Sequence, residues 1–152
     1  MPGYGWWISQ GATTTWEEWN GNNSRNHPMF GGGFTWFYRK MAGLNSDQQE
    51  PGYKHIIIKP YPPKAINYAS YSTRTPFGQA AVNWEKQNNT FKMDVEIPVG
   101  SRATVYLPVI SGKTVKECRS GIKQAKGVKY NGIQDGYAVM EVSSGKYCFE
   151  TD

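Results

Sequence analysis

The chain has 152 residues, 14% of them aromatic, and a formal net charge of +5. This length allows one domain with its own core, or a small domain together with part of another, and is too short for most complete barrel or doubly wound enzymes. Lysine and arginine never form a run of three, so we expect no nucleic-acid partner. No apolar run reaches the ~18 residues of a membrane span, so we expect no membrane partner. The first residues lack the pattern of a signal peptide, and the sequence leaves localisation open.

Two tryptophans enclose two carboxylates in the segment GATTTWEEW, residues 11–19. Neighbouring side chains on a helix or strand point in different directions, so Glu17 and Glu18 cannot flank one bond as an acid and base pair. One interpretation is that both carboxylates begin a helix that a threonine caps. The other is that Trp16 and Trp19 offer flat faces that stack on sugar rings, while a carboxylate between them accepts hydrogen bonds from hydroxyls or activates a water. His27 follows on the same loop, where helix capping or solvent exposure is as good an interpretation as binding.

A helix of about fifteen residues is predicted next. Pro28 suits its first turn, Asn26 is a suitable cap and Gly43 supplies a stop. Apolar residues recur along it at spacings of four, three and four, namely Phe30, Phe34, Phe37 and Met41. The triplet at residues 31–33 should cost roughly 1 kcal/mol per glycine relative to alanine, so another helix or a ligand is expected to approach that backbone closely. A single helix cannot bury this much aromatic surface within its own segment, so residues 1–45 are predicted to be the end of a larger helical domain.

Beyond residue 45 the sequence alternates short segments with turns of Pro, Gly, Asn and Ser, which is typical of an all-β domain. The segment 91–97 shows the alternation most clearly, so one face of that strand is predicted to be buried and the other solvated. Eight short strands favour two antiparallel sheets packed face to face, a mainly β fold. The predicted strands are residues 54–59, 66–74, 79–86, 90–97, 103–107, 114–119, 137–142 and 146–150.

The two cysteines, Cys118 and Cys148, lie 30 residues apart with no CxxC motif and no histidine nearby. A zinc site is therefore not expected, and the sequence predicts no metal. A disulfide requires that the two strands be neighbours. Two buried free thiols are the preferred prediction.

Four segments in order carry a resemblance to a known family: GATTTWEEW, NHPMFGGGFTWFYRKMAGL, PGYKHIIIKP and FKMDVEIPVGSRATVYLP. Together they resemble the C-terminal end of bacterial α-L-rhamnosidases of glycoside hydrolase family 78, from about Gly3 to Pro108. The resemblance implies an (α/α)6 catalytic barrel followed by a C-terminal antiparallel β-sandwich. Residues 1–45 would then hold one or two helices from the end of the barrel, and residues 50–152 would form the sandwich.

The resemblance also implies a chemistry. Enzymes of that family invert the anomeric centre, and their general base corresponds to Glu17, whereas Glu18 falls on a variable position and receives no role. His27 corresponds to a histidine that contacts the sugar, and Trp16 and Trp19 would be walls of the sugar pocket. The general acid lies upstream in the family, so the expected partners are a missing upstream catalytic domain and rhamnose-containing glycans, and this chain alone is expected to be inactive. No cofactor is implied, and a periplasmic or secreted parent enzyme is compatible with the resemblance.

Two alternatives stay open. The sandwich could act as a stand-alone carbohydrate-binding module through exposed aromatic residues, for which the candidates are Tyr61, Tyr68, Tyr71 and Trp84. Alternatively, it could have only a structural role, bracing the barrel. The structural role predicts an exposed apolar patch around Phe30, Phe34 and Trp36, and self-association through this exposed helix.

Overall fold

The computed structural model describes residues 3–109, 114–118 and 120–152. The chain divides into two units, Met1–Phe37 and Tyr38–Asp152. The first unit is mostly loop and short helix, and the second consists largely of strands. No helix in the described part of the chain is long and apolar enough to cross a membrane.

The first unit contains helix α1 (Tyr4–Ser9) and a 3₁₀ helix (Pro28–Phe34). A π-helix follows at Phe37–Ala42. The predicted fifteen-residue helix is therefore present in its predicted place but is not regular α-helix, because three consecutive glycines weaken the α conformation there. Its cap is His27, not Asn26 as predicted, since His27 Nδ1 accepts a hydrogen bond from the Met29 N–H at 3.1 Å.

The close approach predicted at the glycine triplet is only partly found. A Cβ built on Gly31 or Gly32 would have no described atom within 4 Å, whereas one on Gly33 would lie 3.4 Å from the Tyr4 hydroxyl oxygen. The predicted apolar patch is present, since Phe34 and Trp36 are exposed and Phe30 is half-buried. The backbone at Gly31 and Gly32 therefore lies open within this unit.

The second unit has eleven strands among its described residues. They are β1 (Leu44–Ser46), β2 (His55–Ile58), β3 (Tyr68–Thr75), β4 (Gly78–Gln87), β5 (Thr90–Ile97), β6 (Arg102–Pro108), β7 (Val115–Glu117), β8 (Ser120–Gly121), β9 (Val128–Gln134), β10 (Tyr137–Val142) and β11 (Gly145–Thr151). A 3₁₀ turn, Ile122–Gln124, precedes β9. All eight predicted strands are found, whereas β1, β8 and β9 were not predicted. One end of the predicted strand 114–119, Arg119, lies outside the described residues.

The strands form two sheets. The first sheet has the order β1-β2-β6-β10-β9, and the second has the order β3-β4-β5-β11-β7-β8. The predicted mainly β fold with two antiparallel sheets is confirmed, with one exception: β2 and β6 run parallel, with His55 opposite Arg102. Parallel neighbours need a crossover connection, and here the chain makes the second sheet's β3, β4 and β5 between β2 and β6.

The core is formed by the inner faces of these sheets. Along β5 the side chains of Phe91, Met93, Val95 and Ile97 are buried, which confirms the predicted alternation. The core also contains Ile56, Val105 and Met140 from the first sheet, and Phe149 from β11 beside β5. Burial of each such side chain contributes about 1.5–3 kcal/mol relative to exposure, so this layer is the main source of the unit's stability.

Two aromatic residues proposed for a carbohydrate-binding surface on the sandwich are not available. Trp84 is only 2% exposed, stacks on Phe91 at 5.5 Å between ring centroids, and donates its indole N–H to the Met41 carbonyl at 2.9 Å. Tyr71 is half-buried and stacks on Tyr38 at 5.3 Å. Only Tyr61 and Tyr68 of that set are exposed. The predicted four-residue aromatic surface is therefore wrong.

The prediction of free, buried thiols is also wrong. Cys118 and Cys148 form a disulfide with 5.4 Å between their Cα atoms. The cause is the pairing of β7 with β11, which extends to a hydrogen bond of 2.9 Å from the Cys118 N–H to the Cys148 carbonyl. Cys118 is exposed and Cys148 is half-buried, so the bond lies on the outer face of the second sheet.

Candidate active-site cleft

The loop over residues 11–27 folds back on itself and positions both glutamates. The Glu17 N–H donates to the Ser24 carbonyl and the His27 N–H donates to the Thr15 carbonyl, both at 2.8 Å. The Thr15 hydroxyl donates to the His27 carbonyl at 2.5 Å, which strengthens the same pairing. The interpretation that Glu17 and Glu18 begin a helix is therefore wrong, because the Glu17 N–H pairs across the loop and the Glu18 carbonyl accepts from the Gly21 N–H in a turn.

The return of the loop requires a glycine. Gly21 has a φ of +82°, and a Cβ at this position would lie 2.7 Å from the Trp16 ring. Trp16 itself is buried, and the Arg25 guanidinium lies over its ring at 4.7 Å from the centroid. Arg25 also donates from Nε to the Gly21 carbonyl at 3.1 Å. The turn is thus held between an indole face and a guanidinium.

A cluster of aromatic rings supports this loop. Trp7 is buried and stacks on Trp19 at 4.5 Å between centroids, and its indole N–H donates to the Trp19 carbonyl at 3.0 Å. Phe30 also packs against Trp19, with 4.3 Å between the two ring centroids. The Tyr4 ring meets Trp7 and Trp19 edge to face. These contacts fix the Trp19 ring beside the glutamates.

The rings and carboxylates enclose an open cleft of about 740 Å³. It is lined by Trp6, Glu17, Glu18, Trp19, Asn20, Met29 and Phe30. Glu17 Oε2 accepts a hydrogen bond from the Ser24 N–H at 3.1 Å, whereas Glu18 Oε1 accepts from Asn23 Nδ2 at 2.6 Å. The two carboxylates therefore have separate partners, although both reach the cleft.

The residues predicted for the site lie in different places. Glu17 and Trp19 line the cleft, whereas Trp16 lies buried behind the loop and His27 caps the 3₁₀ helix. The sequence did not identify Trp6, Met29 or Phe30 as lining residues. Phe30 was predicted on a helix face and in an exposed apolar patch, and no local pattern shows that it would meet Trp19, eleven residues earlier. The described residues contain no cluster of ligands that could hold a metal ion.

This geometry suits a polar ligand with apolar faces. One oxygen of Glu17 is held by a backbone N–H, and within the described residues its other oxygen, Oε1, has no hydrogen-bond partner. The Trp6 and Trp19 rings supply flat apolar surface in the same cleft. A carboxylate can accept hydrogen bonds from hydroxyls while indole faces stack on apolar surface, so a sugar is one class of ligand that this cleft suits.

Comparisons with known proteins give the family. Residues 43–121, just over half of the chain, match the family described as the bacterial alpha-L-rhamnosidase C-terminal domain. Residues 1–41 match the bacterial alpha-L-rhamnosidase 6 hairpin glycosidase domain. The chain belongs to the bacterial α-L-rhamnosidase family, which confirms the resemblance seen in its sequence motifs.

Relatives support the same assignment. An alpha-L-rhamnosidase from Formosa agariphila is 32% identical over 139 residues, covering 84% of this chain and 15% of that protein. One from Alteromonas sp. is 31% identical over 159 residues, covering 95% of this chain and 17% of its own length. The chain thus spans about one sixth of the length of the curated relatives that it matches.

Solved structures share the fold. The alpha-L-rhamnosidase of Dictyoglumus thermophilum superposes with a TM-score of 0.85 at 36% identity, covering 99% of this chain and 17% of that one. The Streptomyces avermitilis enzyme, solved in complex with L-rhamnose, superposes with a TM-score of 0.84 at 26% identity over 100% of this chain and 15% of its own.

Proposed function

We propose that this chain supplies the general base and one side of the sugar-binding cleft of an inverting α-L-rhamnosidase, which hydrolyses terminal α-L-rhamnosyl glycosides. The observation that carries the proposal is Glu17, whose carboxylate reaches the cleft with Oε2 held by the Ser24 N–H. The names of the relatives, all alpha-L-rhamnosidases, support the substrate class. In this proposal residues 1–45 are the end of the (α/α)6 barrel and residues 50–152 are the sandwich.

The mechanism needs two carboxyl groups on opposite sides of the glycosidic bond. In inverting glycosidases they lie about 6.5–9.5 Å apart, which leaves room for the attacking water. Glu17 takes the proton from that water through its unpaired oxygen. Glu18 is the other carboxylate in the cleft, but it follows Glu17 directly in the sequence and is held by Asn23, so it does not supply the acid. The general acid therefore comes from another part of the enzyme.

The other predicted residues have distinct roles. Trp19 stacks on an apolar face of the sugar, and Trp16 supports the loop from behind. His27 Nδ1 accepts from the Met29 N–H, so a neutral His27 carries its proton on Nε2. That Nε2–H is a donor to a sugar hydroxyl, which is the contact we assign to His27.

The first experiment measures the chain alone. The purified 152-residue chain should release no p-nitrophenol from p-nitrophenyl α-L-rhamnoside, because a base without an acid and a complete pocket does not break the bond. Turnover that disappears in Glu17→Gln would contradict the requirement for a second part of the enzyme, although it would support the role of Glu17.

The second experiment supplies the missing part. In a chimera, this chain replaces the matched region of the S. avermitilis enzyme, and Glu17→Gln should lower kcat by about 10²–10⁴-fold. Glu18→Gln is the matched control and should keep kcat within a few-fold.

Azide should rescue Glu17→Ala in the same chimera, because the azide anion attacks the anomeric carbon without deprotonation. The product should be the β-configured rhamnosyl azide. Equal losses in the two glutamine variants, with no rescue, would exclude Glu17 as the base.

A further inference from the structure

A second cavity lies in the sandwich, on the first sheet, where β2, β6 and β9 begin and β10 ends. Its volume is about 360 Å³, within the ~300–1,000 Å³ typical of small-ligand sites. We call it the strand-end cavity and define it by five of its lining residues: His55, Arg102, Lys129, Glu141 and Ser143. These side chains carry both hydrogen-bond donors and acceptors, and the cavity belongs wholly to the second unit.

The histidine in this cavity is held at both ring nitrogens. Asp47 Oδ2 lies 2.7 Å from His55 Nδ1, and Thr104 Oγ1 lies 2.8 Å from Nε2. The Gln49 N–H and His55 keep the pKa of Asp47 below its usual range. A ring with two such partners has one orientation, so His55 forms a fixed wall of the cavity.

The arginine is held in the same manner. Arg102 donates from Nη1 to Glu50 Oε2 at 3.0 Å, and its Nη2 contacts the other oxygen of that carboxylate. A two-pronged contact of this kind fixes the plane of the guanidinium. Nε is not engaged in it, so Arg102 keeps a donor for another group.

The remaining groups keep hydrogen-bonding capacity. Lys129 Nζ lies 3.3 Å from Glu141 Oε2, a long contact, and both side chains are more than half exposed. Asn131 also donates to Glu141 Oε1 at 3.3 Å. Within the described ranges, the Ser143 hydroxyl has no hydrogen-bond partner. Donors and an acceptor beside the fixed His55 and Arg102 are therefore available to a ligand in the cavity.

The charges of the cavity determine which ligand it fits. Arg102 has Glu50 beside it and Lys129 has Glu141 beside it, so a neighbouring carboxylate balances the charge of each cation. Asp47 is engaged with His55, which leaves no excess of positive charge. A neutral molecule with adjacent hydroxyls matches neighbouring donors and acceptors, because each hydroxyl both donates and accepts.

We propose that the strand-end cavity is a second sugar site, which binds a neutral saccharide ring through pairs of hydroxyls. The choice of a saccharide among neutral polyols rests on the proposed function.

The chain offers a direct readout because it contains two histidines, one beside the cleft and one in this cavity. In an NMR titration of the whole chain with methyl α-L-rhamnoside, the His55 ring signals should shift and saturate. The His27 signals report separately on the cleft, and the proposed function is tested by the Glu17→Gln chimera, so a failure of the proposed function is seen in the chimera and a failure of this inference at His55. Absence of a saturable His55 shift would overturn the inference.

Variants locate the binding. Lys129→Gln and Ser143→Ala should each weaken the His55 response at least threefold, and Arg102→Gln at least tenfold. The unfolding midpoint should be unchanged in Lys129→Gln and in Ser143→Ala. Lys146→Gln is the matched control for Lys129→Gln, because Lys146 Nζ also lies 3.3 Å from a carboxylate, that of Glu96, and is similarly exposed on the second sheet. It should bind the sugar as the unaltered chain does.

Two further ligands test the chemistry. At the concentration at which the rhamnoside saturates the His55 shift, glycerol should leave the His55 signals unshifted. The reason is that glycerol lacks a ring with fixed hydroxyls. Sodium phosphate should also leave them unshifted at constant pH and ionic strength. A response to glycerol equal to that of the rhamnoside would show nonspecific polyol binding, and a stronger response to phosphate would show an anion site. Either result would overturn the proposal, as would an equal loss in Lys146→Gln.

Discussion

The two units of this chain bury apolar surface to very different extents. In the sandwich, Phe91, Met93 and Phe149 are fully buried between two sheets. In the first unit, Ile8 is 70% exposed and Met29 is 56% exposed, although Trp7 is buried in the same unit. The sandwich therefore has an extended buried core, whereas the first unit has a small aromatic cluster and several exposed apolar side chains.

The difference follows from what each unit is built to do. Strand pairing satisfies the backbone groups of the sandwich along its sheets. The first unit relies on one loop pairing, a glycine turn at Gly21 and ring contacts around Trp19. Such a loop can present Glu17 in an open cleft, but the same openness leaves the rings beside it partly uncovered. The candidate cleft and the main buried core thus lie in different units of the chain.

The largest expected effect is the loss of a central side chain of the sandwich. Phe91→Ala removes a buried ring that stacks on Trp84 and should lower the free energy of unfolding by about 4 kcal/mol. Tyr68→Ala is the matched control, because Tyr68 is 74% exposed, and should change it by less than about 0.5 kcal/mol. Urea unfolding followed by far-UV circular dichroism measures both. Equal effects would show that the sandwich has no dominant core.

The disulfide should have the next largest effect. Replacing Cys118 and Cys148 together by serine opens a loop with a sequence separation of 30, and should lower the stability of the sandwich by about 3 kcal/mol. The reduced unaltered chain should match the double variant. If alkylation without reductant labels both cysteines in the folded chain, the bond is not formed and the prediction of free thiols stands.

The strands show how far sequence patterns reach. The alternation in residues 90–97 predicted β5 with its bounds, because one face is buried and the other carries charge. β9 was missed because Asn131 and Gly132 within it resemble a turn, and Gly132 has a φ of +97° beside an irregular register between β9 and β10. The free thiols were wrongly predicted because the pairing of β7 with β11 depends on contacts distant in the sequence.

The site was predictable to the extent that one short segment defines it. The segment GATTTWEEW placed Glu17 and Trp19, and both line the cleft. The contact of Trp19 with Phe30, and that of Trp7 with Trp19, join different segments, and no local pattern reveals them. The family resemblance therefore singled out Glu17 and Trp19, whereas the pattern alone left Glu17 and Glu18 equivalent and the other lining residues required the folded loop.

A smaller effect is expected on acidification. Hydrogen bonding to Arg102 holds the pKa of Glu50 below its usual range, and hydrogen bonds from Asn131 and Lys129 do the same for Glu141. A folded-state pKa below the unfolded value stabilises the fold above the ordinary carboxylate range of about 4.5, and this stabilisation is lost as the pH falls through the folded value. The melting temperature of the sandwich should therefore decrease as the pH is lowered below about 4.5.

A double variant tests the source of that acid dependence. Glu50→Gln with Glu141→Gln should lower the melting temperature slightly at pH 7 and make its fall below pH 4.5 shallower, since fewer carboxylates gain a proton on unfolding. Glu85→Gln serves as the control, because the nearest ammonium, Lys92 Nζ, lies 3.9 Å away, and it should leave the acid profile unchanged. An unchanged profile in the double variant would place the acid sensitivity elsewhere.

The smallest effect on the stability of the sandwich is expected from Trp7→Ala, although this substitution should disrupt the aromatic cluster of the first unit. Trp7→Ala removes the ring that contacts Tyr4, Trp16, Trp19 and Phe30, so it should abolish the near-UV circular dichroism of the tryptophan cluster. The free energy of unfolding of the sandwich should stay within about 0.5 kcal/mol of its unaltered value, because the core residues of the sandwich belong to another unit. Ile8→Ala, at an exposed neighbouring position, should change neither signal. A loss of sandwich stability as large as that of Phe91→Ala would mean that the two units unfold together, and the contrast between a sandwich with its own core and a first unit with only a small aromatic cluster would then be wrong.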